Sequence, residues 1–299
     1  MRKIPSIIFT LLFVLASFSI AQKSFAFSSV WKASKNGKHL FIGGTIHVLS
    51  PEDYPLPCEF DAAYSVSDSL VFETDIKRLT DANLAFDLIS QGTYPFGEEL
   101  NTKIKSSTLQ NLTVYLNEEL GLPSAGFMKY KPGMLLSFIT IAELNRLGID
   151  AEGVDIYFSK LATRDNKPVS FFEQPQEQID FIANLGIGNE DKFINYIIES
   201  SQKLGTQYSE MIKNWRSGEL NKLAKSIEFK RLQIEFPKVF DTLLVNRNEK
   251  WLQEIDQLIQ SHEVEYVLVG GAHLIEKEGL IERLKSKGYQ LDQLSCTYN

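Results

Sequence analysis

Two of the four histidines in the 299-residue chain stand three residues beyond a glycine at the end of an apolar run: Gly44-Thr-Ile-His47 and Gly270-Gly-Ala-His273. Two other apolar runs end in acids, "LVFETD" in Glu73 and Asp75 and "VSFFE" in Glu173. A strand buried on both faces has no packing reason to finish in a charge or an imidazole, so four such endings point to a site. Two imidazoles and a carboxylate suit a divalent transition metal, because neutral nitrogens and one anionic oxygen leave positions open for water. His47, Glu73 and His273 would be that set, although their spacing is not that of a local zinc signature. The same groups also serve without a metal, with His47 as general base on water and Glu73 orienting or tuning it. The paired glycines, Gly43-Gly44 and Gly270-Gly271, either let a ligand approach the backbone or mark bulges and tight packing.

The elements that must hold these groups follow from the pattern of the chain. Asn36-Gly37 suits a type I′ turn between two apolar-rich runs, so "SSVWKASKNGKHLFIGGTIH" reads as a hairpin. "SLVFETDI" and "KPVSFFE" are short strands, with helical periodicity dominating from Asp81 to Arg164 and Pro175 opening a further helix. Helices fill the chain from Gln176 to Gln260; "EYVLVGGAHL" returns to strand, a helix runs to Gly288, and "YQLDQL" is the last strand. Strands alternating with helices at both ends predict an α/β fold with a largely parallel central sheet flanked by helices, and helical insertions in the middle. In such sheets ligands bind outside the carboxyl ends of the strands, where these histidines and acids fall.

The first 26 residues read as an export signal: Arg2 and Lys3, an apolar core from Ile7 to Ile20, and small residues at Ser19–Ala21 and Ser24–Ala26. A mature chain starting at Gln22 or Phe27 is expected, periplasmic or extracellular, with residues 27–299 as one domain and no stable membrane anchor. Losing Arg2, Lys3 and Lys23 from 31 basic residues leaves 28 against 38 acidic ones, a formal charge of −10, which disfavours nucleic acid as a partner. Cys58 and Cys296 are the two cysteines. In an oxidising compartment they can pair with each other, or they can stand as two buried thiols.

The stretches "GGTIHVL", "VFETD", "GIDAEGVDIYFSKLA", "NKPVSFFEQPQEQIDF", "LLVNRNEKWLQEI" and "VLVGGAHLIEKEGLIERLKSKGY" together resemble the TraB/GumN proteins, which include the TIKI metalloproteases and are distantly similar to the erythromycin esterases. The resemblance spans nearly the whole mature chain. It implies a fold of the EreA/ChaN type and an active site containing His47, His273 and Glu73, with Arg247 and Asn248 of "VNRNEKW" on a further family motif. It also implies a divalent ion (manganese, cobalt or zinc) and peptide-bond cleavage as in the TIKI members, or metal-free ester hydrolysis as in the esterases. TraB is linked to shutting down peptide pheromone signalling and GumN to a polysaccharide operon, so the substrate is open: a peptide or a small molecule.

Arg247 could steady an oxyanion, as could Asn248, or Arg247 could form a surface ion pair with Glu249 or Asp241. Asp150 is expected to cap a helix, Asp155 to be a partner for a histidine, and Glu173 either to bond a site group or to cap the helix near Pro175. His39 and His262 are expected outside the site, and "GMLLSFITIAEL" as a buried helix. The expected function is an exported hydrolase, a metal-dependent peptidase through His47, Glu73 and His273; a metal-free esterase and a non-catalytic ligand-sequestering protein are the alternatives.

Overall fold

The computed structural model describes residues 25–79 and 81–297, so nearly all of the expected export signal lies outside the described residues. Eight strands are present among them: β1 (Phe25–Lys35), β2 (Lys38–Thr45), β3 (Val48–Leu49), β4 (Ser69–Phe72), β5 (Ala151–Glu152), β6 (Val169–Phe171), β7 (Glu265–Gly270) and β8 (Gln290–Thr297). Six form one sheet in the order β6-β4-β7-β2-β1-β8. The first four of these run parallel, while β1 is antiparallel to both β2 and β8. The α/β architecture with a largely parallel sheet is therefore as expected.

The β1–β2 hairpin turns at Asn36 and Gly37, whose φ angles of 52° and 79° are those of a type I′ turn. β4 and β7 are buried at every residue and lie inside the sheet, which is why they read as unbroken apolar runs. Their side chains alternate between two cores. Leu70, Phe72, Tyr266 and Leu268 join one face with Phe41 and Phe158, and Val71, Val267 and Val269 join the other with Leu40, Ile42 and Trp251. A third core, including Leu116, Leu135, Ile139 and Ile194, lies among the helices inserted between strands. The helix Pro132–Arg146, expected to be buried, contributes Leu135 and Ile139 to it.

Cys58, at the start of the helix Cys58–Val66, is joined by a disulfide to Cys296 on β8, with the Cα atoms 6.3 Å apart. Beside it the buried Glu59 accepts a hydrogen bond from the Cys296 backbone N–H at 2.9 Å. Among the described residues, no helix is long and apolar enough to cross a membrane.

Candidate active site

Because β2, β4, β6 and β7 are parallel neighbours, their carboxyl ends meet along one edge. That edge carries Thr45 and His47 after β2, Glu73 and Thr74 after β4, Glu173 after β6, and Gly270 to His273 after β7. The point in front of Gly270 shows how they converge. A Cβ placed there would lie 3.2 Å from Glu73 Oε1, 3.5 Å from His47 Nε2 and 3.8 Å from His273 Cδ2. Gly270 has φ −50°, which any residue adopts, so glycine is required here for space in the site. The first pair differs. At Gly43 and Gly44 a Cβ would strike Tyr266 and Leu274, so that pair serves packing.

His47 is held by the helix Val154–Asp165. Gly153 caps that helix and lies so close to the backbone of Ile46 and His47 that a Cβ would collide with both carbonyls. The Val154 N–H bonds the Ile46 carbonyl at 3.0 Å, and Asp155 in the first turn then reaches the site. Asp155 Oδ2 lies 2.9 Å from His47 Nδ1, and its Oδ1 accepts from the Thr45 hydroxyl at 2.8 Å. An ionised Asp155 accepts only, so His47 Nδ1 carries the proton and Nε2 faces Gly270. The Asp155 carboxylate raises the His47 pKa to about 9, against a smaller opposing effect of desolvation. The side chain is 67% exposed, and the rise comes chiefly from this contact, with the Glu73 carboxylate adding to it.

His273 is fixed from the helix Asn246–Leu258, on which Arg247, Asn248 and Trp251 turn inward together. Arg247 Nη1 lies 3.1 Å from His273 Nε2 and can only donate, so Nε2 accepts and Nδ1–H donates to Asn248 Oδ1 at 2.7 Å. The ring is therefore neutral, and burial lowers its pKa to about 3. Asn248 Nδ2 donates to the carbonyls of His273 and Glu278 at 3.3 and 2.9 Å. Arg247 also donates to Glu173 Oε1 and Oε2, to Glu73 Oε2 and to the Leu243 carbonyl, at 2.8, 2.9, 2.5 and 3.1 Å. Burial opposes ionisation of Glu73, but the Arg247 guanidinium and the His47 imidazolium, with a 2.6 Å bond from the Gly270 N–H, hold its pKa below the ordinary carboxylate range. With His273 neutral, the guanidinium is the permanent cation among them.

Zinc–ligand bonds of about 2.0–2.2 Å to nitrogen and oxygen require donor atoms within roughly 4.4 Å of one another. Among the described residues the one group of three or more His, Cys, Asp or Glu ligand atoms that close is Cys58, Glu59 and Cys296, whose thiols are already joined. His47, Glu73 and His273 share a site but do not converge as a metal triad. The His273 Nε2 lone pair and the facing Glu73 oxygens are also committed to Arg247 and Gly270. As placed, these residues do not fit the expected ion.

Several roles read from the sequence take a different form in three dimensions. Arg247 is buried against Glu73 and Glu173 and does not pair with Glu249 or Asp241 at the surface. Neither Arg247 nor Asn248 has an uncommitted N–H for an oxyanion. Glu173 bonds site groups, accepting from Arg247, from Trp251 Nε1 and from Gln178 Nε2, while Gln174 and Glu177 cap the following helix. Asp150 is not a cap, since Gly153 holds that position. Asp155 is the histidine partner expected, and His262 is an exposed loop residue. His39 lies within β2, half-buried against Phe41, away from the site edge. Thr45, Thr74, Gln178 and Trp251 were not singled out from the sequence. Of these, Trp251 alone had a signal, one helical turn after Arg247.

A cavity of about 250 Å³ opens on this edge, lined by His47, Phe72, Glu73, Thr74, Ile76, Asp155, Ile156 and Gln178. The Thr74 hydroxyl, on its wall, is buried without a partner among the described residues. A larger cavity of about 440 Å³, between Phe181, Leu185 and Phe236, contains neither histidine.

Fold and site together define an α/β protein with a histidine–carboxylate site on the carboxyl edge of a parallel sheet. The chain belongs to the TraB/PrgY/gumN family, whose model matches residues 29–293. It is similar to the uncharacterized protein YbaP of Escherichia coli strain K12 and to that of Shigella flexneri, each 23% identical over 249 residues, which is 83% of this chain and 88% of the relative. No solved structure matches.

Proposed function

We propose that the chain is an exported hydrolase that cleaves an amide or ester bond in a peptide or peptide-like small molecule, with His47 as general base. The observation that carries this reading is the His47–Asp155 pair. Asp155 fixes the ring and its tautomer at 2.9 Å, leaving Nε2 aimed past Gly270 toward Glu73 at the mouth of the cavity. Water bound between them would give a proton to Nε2 while its oxygen adds to the substrate carbonyl carbon. The same proton would then pass to the leaving amine or alcohol. Because Asp155 raises the pKa to about 9, the imidazole is mostly protonated at neutral pH, and the active form grows as pH rises. Phe72, Ile76 and Ile156 give the cavity an apolar wall suited to one hydrophobic substituent beside the bond cleaved.

Export is part of this proposal. A start at Gln22 leaves β1 whole, whereas a start at Phe27 removes Phe25 and Ala26, which pair with Thr297 and Cys296.

The purified mature chain is to be assayed against a peptide library and an ester panel, with chelator and with manganese, cobalt or zinc. Turnover that persists in chelator and disappears in His47→Ala supports the reading. Turnover only with added metal restores the metal-dependent peptidase. Tight binding without turnover would make the chain a sequestering protein.

A further inference from the structure

Arg247 has five N–H groups, and each meets an acceptor within 3.1 Å: Glu173 twice, Glu73, His273 Nε2 and the Leu243 carbonyl. Two aromatic rings also lie against it. The Trp251 ring centroid lies 4.7 Å from Cζ and the Phe181 centroid 5.6 Å. The Trp251 N–H bonds the same Glu173 oxygen that Arg247 Nε holds. All five donors and the ring contacts of the guanidinium are thus met by partners suited to it.

We propose that the Arg247 guanidinium is the resident cation of this site, standing in the place of a metal ion and holding Glu73, Glu173 and His273 by its own donors. Whether or not the cavity hydrolyses anything, two buried carboxylates need a positive partner, since unpaired buried charge is strongly unfavourable. A divalent ion and a guanidinium are alternative partners, but they ask for different surroundings. An ion needs lone pairs converging on one point. A guanidinium needs acceptors spread around a plane and aromatic faces above it, which is what surrounds Arg247. Lysine, a compact charge without the fork, cannot replace it.

The consequence for the site is positional. Arg247 takes Glu73 Oε2, which leaves Oε1 to the Gly270 N–H on the side facing His47. It takes the His273 lone pair, which keeps that ring neutral and its N–H on Asn248. Arg247 is therefore a positioning residue that acts through Glu73 and His273.

The test uses the mature full-length chain, metal content by elemental analysis, and the absorption of added Co²⁺. The native chain, dialysed against chelator, should keep its thermal midpoint and take up no stoichiometric Co²⁺ or Zn²⁺. Arg247→Met should lower the midpoint by on the order of 10 °C. It should take up no stoichiometric Co²⁺, because the freed Glu73, Glu173 and His273 acceptors are spread around a plane and do not converge on one point, so added metal should recover none of that loss. The triple variant Arg247→Met, Glu73→Gln, Glu173→Gln removes the demand for a cation. It should be more stable than Arg247→Met and bind no Co²⁺, which keeps the test decisive if the single variant does not fold. One equivalent of metal in the native chain, released by Glu73→Gln, would overturn the proposal. So would a folded Arg247→Met that takes up one equivalent of Co²⁺, or a triple variant no more stable than the single one.

Discussion

His47 and His273 follow the same wording at the ends of parallel strands, yet the His47 side chain is 67% exposed and that of His273 is 5% exposed. Each has Nδ1 fixed by an acceptor and presents Nε2 toward the same edge. What differs is the neighbour. His47 meets a carboxylate, Asp155, and its pKa rises to about 9. His273 is buried and accepts from a guanidinium, and its pKa falls to about 3. Identical residues at matched offsets therefore differ in charge at neutral pH, His47 cationic and His273 neutral. One is exposed enough to meet a substrate, and the other belongs to a closed charge network.

The largest effect should separate them directly. His47→Ala is expected to lower turnover about 100- to 10,000-fold, the range for a lost general base. It should also cost about 1–3 kcal/mol of stability, because the buried Asp155 Oδ2 loses its partner. His39→Ala and His262→Ala, assayed alongside, should leave turnover unchanged; a loss in either would undo the assignment. The disulfide tests whether the site is separable from its scaffold. Cys58→Ser with Cys296→Ser should cost about 2–4 kcal/mol in denaturant unfolding while leaving kcat/KM as it was.

His273→Ala should cost about 1–3 kcal/mol, because it leaves an Arg247 N–H and Asn248 Oδ1 unpaired in the interior. Its pH dependence has a definite sign. The folded pKa of His273 lies near 3, below the ordinary 6.5, and that of Glu73 lies below its ordinary 4.5, so the unfolded chain binds both protons more readily. Stability is therefore lost as pH falls from about 6.5 to 3 for His273, and as pH falls below the ordinary 4.5 for Glu73. His273→Ala should flatten the upper part of that decline, and an unchanged curve would mean the ring is not buried neutral. The finest distinction concerns Asp155. In the native chain the rate should rise with pH to a midpoint near 9, and Asp155→Asn should return that midpoint toward the ordinary 6.5 while lowering the plateau. A midpoint that stays put would sever Asp155 from the chemistry.

Much of the arrangement was legible because strand polarity is a local signal. The polar endings at His47, Glu73, Glu173 and His273 were read together, and three parallel pairings bring β2, β7, β4 and β6 side by side. Asp155 as a histidine partner was also within reach, since the first turn of a helix commonly approaches a strand end. Gly153 was not singled out, because the close approach that demands it is to Ile46 and His47, distant in the chain. Arg247 was read with charges near it in the chain, Glu249 and Asp241, whereas its partners Glu73 and Glu173 are separated from it by 174 and 74 positions.

The amino-acid sequence by itself determined the alternation of strands and helices, the hairpin at Asn36-Gly37, the set of chemically able residues and the family. All of these rest on patterns within a few residues or on motif wording. Only the tertiary structure decided which charge lies beside which. It put a carboxylate against one histidine and a guanidinium against the other, and it closed five donors of Arg247 onto acceptors from four segments of the chain. The physical reason is that a side chain's protonation and hydrogen bonds depend on the few ångströms around it, and folding fills that space with residues far away in sequence.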